Sequence, residues 1–479
     1  MADSITYAPQ ARLDIGRLGN PIEIVLISTY ELGRQPFGLA SPAAWLRRLG
    51  AHVTCLDLSL QHLDTDTIQT ANIVAFYLPM HTATRMAIKT IRIVRKLNPR
   101  AHLCAYGLYA VTNVEYLRRE GIQTALGGEF EEGLCELVVQ VSEGVLDSPA
   151  RFFEPIISFA RQQFIVPDRS GLPPLRKYAQ LIMPDGTKRV VGYTEATRGC
   201  KHECRHCPIV PVYEGKFRIV QREVVLADIR QQVAMGAEHI TFGDPDFFNG
   251  IGHAIPLIEA LHREFEHLSY DVTIKVEHLR KHADYLHLLR DTGCAFVTSA
   301  VESIDNAVLE IFGKNHTRDD FIDVARFCGE LRLNFSPTFV TFTPWLSLDG
   351  YEDLLALLTK LNLAINVAPI QLAIRLLIPF GSRLLERSEV QRIIGPFDES
   401  ALSYRWVHPD PRVDSLQEEV LRIVRAASDS RQGRMEVFNA VWRHLHTVMG
   451  GSTKYLRMPA IDPAPARVTI PYLTEPWYC

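Results

Sequence analysis

The sequence predicts an α/β protein: a doubly wound parallel-sheet domain, then a partial β/α barrel of six strands, then a mixed C-terminal extension. Three observations predict it. Short apolar runs alternate with helical stretches over roughly residues 20–145, and a second series of the same kind starts near residue 190. Between them "VPDRSGLPPLRKYAQLIMPDG" (166–186), with its Pro, Arg and Gly residues, reads as a connector. The expected boundaries are 1–150, 151–189, 190–395 and 396–479.

In the first series, "IEIVLIST" (22–29) is a continuous apolar run suited to a strand buried on both faces. The loop "YELGRQPFG" follows, then a helix expected to open at Ser41-Pro42 and to close at Gly50. "HVTCLDLS", "IVAFYLP", "HLCAYG" and "QTALGG" supply further strands, with helices such as "TRMAIKTIRIVRKLNP" and "EYLRREG" between them. In such a sheet the ligand crevice lies beyond the carboxyl ends of the strands. The loops Tyr30 to Gly38, Pro79 to Thr82, Gly107 to Tyr109 and Gly127 to Glu129 should line it.

The second series runs through "VVGYTEATRG", "HITFGDPDFF", "DVTIKVEHL", "AFVTSAVES", "LNFSPTFVTF" and "NVAPIQLAIRLLI". The spacings leave room for one crossover helix each, which gives an incomplete β/α barrel with chemistry at the strand C-terminal ends. On the third strand, period-two alternation puts Lys275 and Glu277 on one face. A buried ion pair and a ligand contact both explain that pair. The extension carries a helix around "SLQEEVLRIVRAAS" and a Pro-rich tail.

The composition narrows the function class. With 479 residues, 47% hydrophobic and 22% charged, the chain has the make-up of a soluble globular protein. A formal net charge of −4 and the lack of any Lys/Arg block argue against a nucleic-acid or anionic-membrane partner. The opening "MADSITYAPQ" carries an early acid and no apolar core, and no apolar run is long enough to span a bilayer. A cytoplasmic location is expected. Nine cysteines are too sparse for a disulfide scaffold, and Cys55, Cys104, Cys135, Cys294 and Cys328 sit in apolar contexts as small core residues.

The remaining cluster is "TRGCKHECRHCP", with Cys200, Cys204 and Cys207 in a C-x3-C-x2-C run. Three thiolates on one tight loop suit a [4Fe-4S] cluster that leaves one iron open for chemistry. A zinc site using His202 or His206 as the fourth ligand is the alternative, although closed zinc sites are usually built from two separated ligand pairs.

On this motif, residues 190 to about 390 resemble the radical S-adenosylmethionine (SAM) superfamily. The resemblance implies a [4Fe-4S] cluster on the three cysteines, SAM chelated at the open iron, and reductive cleavage to a 5'-deoxyadenosyl radical. It also implies roles for further residues. Gly243, Asp244, Pro245 and Asp246 in "FGDPDF" match the segment that contacts the SAM amino group, although a Gly-, Asp- and Pro-rich turn needs no ligand. Glu302 and Ser303 match the position beside ribose and methionine, and Arg375 with Leu377 to Pro379, Ile378 included, matches the segment beside adenine. A strand-end cap or a salt bridge explains each of these polar residues as well. His206 stands where the family often has an aromatic residue near adenine, and Lys275 and Glu277 are implied SAM or substrate contacts.

Residues 20 to 145 resemble the flavodoxin-like, cobalamin (B12)-binding-type domain that precedes many radical SAM barrels, on "YGLYA" and "LGGEFEEGLCEL". Cobalamin is therefore an implied cofactor. The D-x-H-x-x-G sequence that presents histidine to cobalt is absent, and His81 is the candidate substitute. The ending "IPYLTEPWYC" resembles that of the CUAEP/CCAEP-tail radical SAM proteins, without the residues that follow the cysteine there. The resemblance makes Cys479 a candidate catalytic thiol and a soft ligand.

Three functions follow. The first is a radical SAM transferase, with methyl or other alkyl transfer to a small molecule if cobalamin is present, fed by a reductant such as flavodoxin or ferredoxin. The second transfers the 3-amino-3-carboxypropyl group of SAM to trivalent arsenic held by the tail thiols. The third is a non-enzymatic iron or redox sensor.

Overall fold

The computed structural model describes residues 6–7, 22–145, 156–430, 432–450 and 470–475. The N-terminal part is a seven-stranded sheet. In chain order it comprises β1 (Thr6–Tyr7), β2 (Glu23–Ser28), α1 (Phe37–Leu49), β3 (His52–Asp57), α2 (Thr65–Thr70), β4 (Ile73–Tyr77) and α3 (His81–Leu97). It continues with β5 (His102–Tyr106), α4 (Leu108–Thr112), α5 (Val114–Glu120), β6 (Thr124–Gly128), α6 (Glu131–Ser142) and β7 (Ile156–Ser158). The strand order is β1-β7-β6-β5-β4-β2-β3, and every pairing is parallel.

The continuous apolar runs are buried on both faces, as expected. Ile24 and Leu26 pack with Leu39, Leu46 and Leu134 of α1 and α6 on one side. Val25 and Ile27 pack with Ile68, Ile88 and Leu117 of α2, α3 and α5 on the other. Each such side chain contributes about 1.5–3 kcal/mol on burial.

Helix α1 opens at Phe37, four residues before the Ser41-Pro42 start read from sequence, and so holds Pro42 inside it. Pro42 has no N–H for the Gly38 carbonyl one turn back. The Tyr106 hydroxyl donates to that carbonyl at 2.8 Å instead. Gly38 has room only for hydrogen, because a Cβ there would lie 2.1 Å from the Tyr77 ring.

The second part comprises β8 (Gln180–Ile182), β9 (Lys188–Thr194), β10 (Thr197–Gly199), α7 (Val210–Tyr213), β11 (Phe217–Ile219), α8 (Arg222–Ala234) and β12 (His239–Phe242). It continues with α9 (Ile251–Glu264), β13 (Ser269–Thr273), α10 (Val276–Lys281), α11 (Leu286–Asp291), β14 (Cys294–Glu302), α12 (Asn306–Phe312), α13 (Arg318–Glu330), β15 (Phe335–Phe339) and α14 (Leu348–Lys360). Its sheet runs β15-β14-β13-β12-β9-β8-β18, where β18 is Tyr472–Leu473. The five members from β15 to β9 are parallel, while β8 and β18 are antiparallel.

The expected sixth parallel strand is not formed as one. Pro369 opens a 3-10 turn, Pro369–Leu372, and only a parallel bridge between Phe342 and Arg375 remains. Side-chain amides satisfy the outer edge of β15 in place of a ladder. Asn366 Nδ2 donates to the Phe335 carbonyl at 2.7 Å, and Gln371 Oε1 accepts from Phe339 N–H at 2.9 Å.

The stretch 151–189 contributes β7 to one sheet and β8 to the other. It also carries Arg169, whose guanidinium pairs with Asp228 at 2.8 Å with both side chains 1% exposed. After α14 come α15 (Ser388–Gln391), the hairpin β16 (Ile394–Asp398) and β17 (Ser403–Trp406), and the helices α16 (Pro411–Ser430) and α17 (Arg434–Val448), which pack together. The hairpin tip reaches the N-terminal domain, where the Ala401 carbonyl meets His81 Nε2 and Glu399 pairs with Arg119. Tyr30 donates to Glu475 just beyond β18. No helix among the described residues is long and apolar enough to cross a membrane.

Candidate functional site

The three cysteines occupy the loop beyond the C-terminal end of β9, past the short strand β10. Gly199, at φ 72°, makes the turn into the loop, where a Cβ would lie 2.3 Å from the Tyr213 ring and 2.6 Å from the Lys216 carbonyl. Cys200 and Cys204 are buried, and Cys207 is half-buried. Arg205 fastens the loop to the end of α12, its N–H donating to the Phe312 carbonyl and its guanidinium to Glu310 and Ile311. Burial pushes the Cys200 thiol up to about 11, so its thiolate needs a cationic partner. An iron-sulfur cluster is such a partner. The other described cysteines of this domain do not adjoin the loop: Cys294 opens β14 at the opposite end of the sheet, and Cys328 sits in α13.

Both candidate zinc histidines turn Nε2 away from the cysteines, while His206 Nδ1 has no hydrogen-bond partner among the described residues. His206 Nε2 lies 3.2 Å from Glu302 Oε1, with its ring stacked on Phe312 at 4.5 Å. His202 Nε2 lies 3.1 Å from Asp246, and its Nδ1 is 3.5 Å from Glu277. The three sulfurs on one loop fit a [4Fe-4S] cluster with one open iron.

The residues expected around that iron fall into two groups. Glu302, His206 and Lys314 form one. Burial would raise the Glu302 carboxyl, but Lys314 and then His206 outweigh it and hold it at about 2. Glu302 sits at φ 70°, a left-handed conformation unusual for a non-glycine residue and often found at functional sites.

Lys275, Glu277 and Asp246 form the other group, with His202 and His278. Strand β13 ends at Thr273, so Lys275 and Glu277 do not alternate along a strand. Lys275 caps α10 and Glu277 stands in its first turn, which still brings Nζ and Oε2 to 3.5 Å. Lys275 is 5% exposed, and its Nζ has no hydrogen-bond partner among the described residues.

Other expected residues serve the frame. Asp244 commits both oxygens to the β9–β10 corner, accepting from Ala196 N–H at 3.0 Å and Thr197 Oγ1 at 2.5 Å. Gly243 packs against Tyr193, whose hydroxyl a Cβ would meet at 1.8 Å, and Pro245 carries the chain on to Asp246. Ser303 accepts from Asp305 N–H at 3.1 Å. Arg375 turns to the extension, donating to Asp414 at 2.6 Å and to the Trp406 carbonyl, and Ile378 bridges to Tyr404. Cys479, with Trp477 and Tyr478, lies outside the described residues.

Sequence reasoning missed Lys314 and His316. Lys314 is buried, yet Glu302, Cys204 and Cys207 outweigh burial and raise it above its ordinary value. His316 is buried, with both ring nitrogens unpartnered among the described residues, and burial lowers it to about 3. The signal was "GKNHT" after the helix that follows the fourth strand, two basic groups in a segment with no apolar period.

The N-terminal crevice faces the same region. The order β3-β2-β4-β5-β6 reverses between β2 and β4, which is the switch point where flavodoxin-like sheets take ligands. Ser28 Oγ, Glu31 Oε2 and Glu131 Oε2 are buried there without hydrogen-bond partners among the described residues. A ligand rimmed with amide groups, as cobalamin is, fits such acceptors. His81 gives Nε2 to the Ala401 carbonyl, which leaves Nδ1 as its one candidate ligand atom.

A buried ion cluster ties this crevice to the cysteine loop. Arg198 pairs with Glu131 at 2.7 Å, Glu195 at 2.8 Å and Glu129 at 3.2 Å. Burial pushes Glu129 up to about 7 from an ordinary 4.5, with Arg198 opposing. A carboxyl raised in the folded state adds stability at low pH and loses it as pH climbs through the folded value. The stability contributed by Glu129 is therefore expected to fall between about pH 4.5 and about 7. Glu129→Gln should flatten that slope, which urea melts across the interval measure.

The sequence profile described as the Radical SAM superfamily matches residues 194–358. The hopanoid C-3 methylase of Methylococcus capsulatus is 23% identical over 327 residues, 65% of this chain, and the chain spans 62% of that relative's length. Among solved structures, the cobalamin-dependent S-adenosylmethionine radical enzyme OxsB with aqua-cobalamin bound aligns at TM-score 0.68 and 14% identity, covering 91% of this chain and 74% of OxsB. The radical SAM methyltransferase TsrM from Kitasatospora setae, with tryptophan and a SAM analogue bound, aligns at TM-score 0.58 and 17% identity, covering 77% and 76%. The three-cysteine loop, the parallel half-barrel and the sheet domain in front of it thus carry one conclusion: this chain contains a radical SAM domain and has the two-domain fold of cobalamin-dependent radical SAM enzymes.

Proposed function

We propose that this chain is a radical SAM transferase that moves a methyl or other alkyl group onto a small molecule, with cobalamin on its N-terminal domain. The observation that carries the reading is the three-cysteine loop at the C-terminal mouth of a parallel sheet, with no fourth cysteine in the loop. The switch-point crevice and the two-domain likeness to OxsB and TsrM support the cobalamin part. When bound, the cluster supplies the electron that cleaves SAM, and cobalamin supplies a carrier for the transferred group.

Cys200, Cys204 and Cys207 would hold the cluster. Lys275, a buried ammonium without a hydrogen bond, would take the SAM carboxylate, and Glu277 with the backbone of Gly243 to Asp246 would take its ammonium. Glu302, braced by Lys314 and His206, would accept from ribose hydroxyls, while Ser303, Arg375 and Ile378 hold the wall beside them. The electron would come from a flavodoxin- or ferredoxin-type reductant.

Anaerobic reconstitution, reduction in the presence of SAM and product analysis test the reading. 5'-Deoxyadenosine or S-adenosylhomocysteine supports it. Methylthioadenosine would redirect it to 3-amino-3-carboxypropyl transfer, and no SAM cleavage would sink it and leave a sensor. Lys275→Met should raise KM for SAM about 10–100-fold at unchanged iron content, the effect of losing a charged hydrogen bond of roughly 1.5–3 kcal/mol.

A further inference from the structure

We propose that His202, Asp246 and His278 form a second, mononuclear site for a divalent transition-metal ion, separate from the cysteine cluster. All three side chains are buried, and one ligand atom from each lies within 4.8 Å of the other two. Asp246 Oδ2 stands 3.1 Å from His202 Nε2 and 2.6 Å from His278 Nδ1. Two imidazoles and a carboxylate form a ligand set typical of zinc, ferrous iron and cobaltous ions.

Two features distinguish this arrangement from a plain hydrogen-bonded relay. First, the His278 side chain is 1% exposed and its Nδ1 lies close to Asp246, yet among the described residues that nitrogen has no hydrogen-bond partner. A nitrogen aimed past the oxygen is expected where both atoms bind a third between them. Second, the outer partners are in place. Asp246 Oδ1 accepts from Phe248 N–H at 3.2 Å, which leaves Oδ2 as the single ligand oxygen. His202 Nδ1 faces Glu277 Oε2 at 3.5 Å, an oxygen with no hydrogen-bond partner among the described residues. A carboxylate behind the distal nitrogen is the arrangement that fixes the tautomer of a metal-bound histidine.

Atoms bound tetrahedrally to one ion at about 2.0–2.2 Å stand about 3.3–3.6 Å apart, so an ion would open the 2.6 Å and 3.1 Å pairs by about 0.3–1 Å and set the two imidazole nitrogens at that same spacing. The charge is tolerable as well, because Lys275 is 3.5 Å from Glu277, which offsets it. An ion here would join the cysteine loop, the end of β12 and the start of α10 at one point.

The test uses the full chain and Co2+ as probe. The wild-type protein, freed of adventitious metal, is titrated and its bound metal counted by mass spectrometry. The Cys200→Ala/Cys204→Ala/Cys207→Ala variant gives the visible spectrum without the cluster's absorbance. About one Co2+ per chain is expected in the variant, with bands of nitrogen and oxygen ligation rather than thiolate charge transfer. His278→Ala and Asp246→Asn should each weaken binding by more than the roughly 10–100-fold that loss of an outer partner costs, and Glu277→Gln by about that outer-partner range. A Cys200→Ala/Cys204→Ala/Cys207→Ala chain that binds no stoichiometric Co2+ overturns the proposal. So does binding that survives both ligand substitutions. The milder Glu277→Gln keeps the proposal testable if the other two fail to fold. Because the readout is metal in a cluster-free chain, it stands or falls apart from SAM cleavage.

Discussion

Cys204→Ala is expected to remove the iron-sulfur cluster and reduce SAM cleavage to background. Two remaining thiolates, Cys200 and Cys207, cannot hold a cuboidal cluster that already lacks its fourth protein ligand. Iron should drop from about four per chain to under about one, with loss of the brown absorbance of the reconstituted protein. The fold should persist, because deleting one small buried sulfur costs only about 1 kcal/mol. Cys294→Ala is the control, a comparably buried thiol at the far end of the sheet that should keep the full iron complement. Equal iron in the two variants would refute the assignment of the loop.

Arg198→Met is expected to cost about 3–5 kcal/mol of stability, the usual penalty for removing one member of a buried ion cluster. The side chain is 6% exposed and faces three carboxylates, Glu129, Glu131 and Glu195, with Ser41 Oγ at 3.2 Å. Three aromatic rings surround the guanidinium, Phe164 at 5.0 Å, Phe130 at 5.4 Å and Phe37 at 5.5 Å. Methionine fills much of that space, so the loss measures uncompensated charge more than a cavity. The sign of its pH dependence follows. Without the guanidinium the Glu129 and Glu195 carboxyls rise further and are more easily kept neutral in acid, so the variant should lose less at about pH 5 than at about pH 7. Arg198→Lys keeps the charge but not the fork that reaches several partners, and should fall between the two. Urea denaturation of the cluster-free chain measures all of these, and a loss under about 1 kcal/mol for Arg198→Met would show that the cluster does not hold the domains together.

Legibility differed by kind of signal. The strands of the first sheet were plain because a strand buried on both faces is apolar along its buried length, as Ile24 to Ile27 and Ile73 to Tyr77 are. The helix start at Phe37 was hidden, because Pro42 reads as a first-turn residue unless Tyr106 is known to take the orphaned Gly38 carbonyl. "DVTIKVEHL" looked like one strand, but the chain turns into a helix at Lys275. The sixth strand failed for a related reason, since nothing in "NVAPIQLAIRLLI" says that Asn366 and Gln371 will satisfy the edge of β15 with their side chains.

By itself the sequence determined the α/β class, the two alternating series and the three-sulfur loop, because apolar periodicity and C-x3-C-x2-C spacing act over a few residues. Only the tertiary structure decided which charges meet. Glu302 with Lys314, Arg198 with Glu129, and Asp246 with His278 are far apart in the chain, and their distances depend on how the sheets close and the loops dock. Local pattern carries no information on such pairs, because the energy that fixes them belongs to burial and charge shared between distant segments.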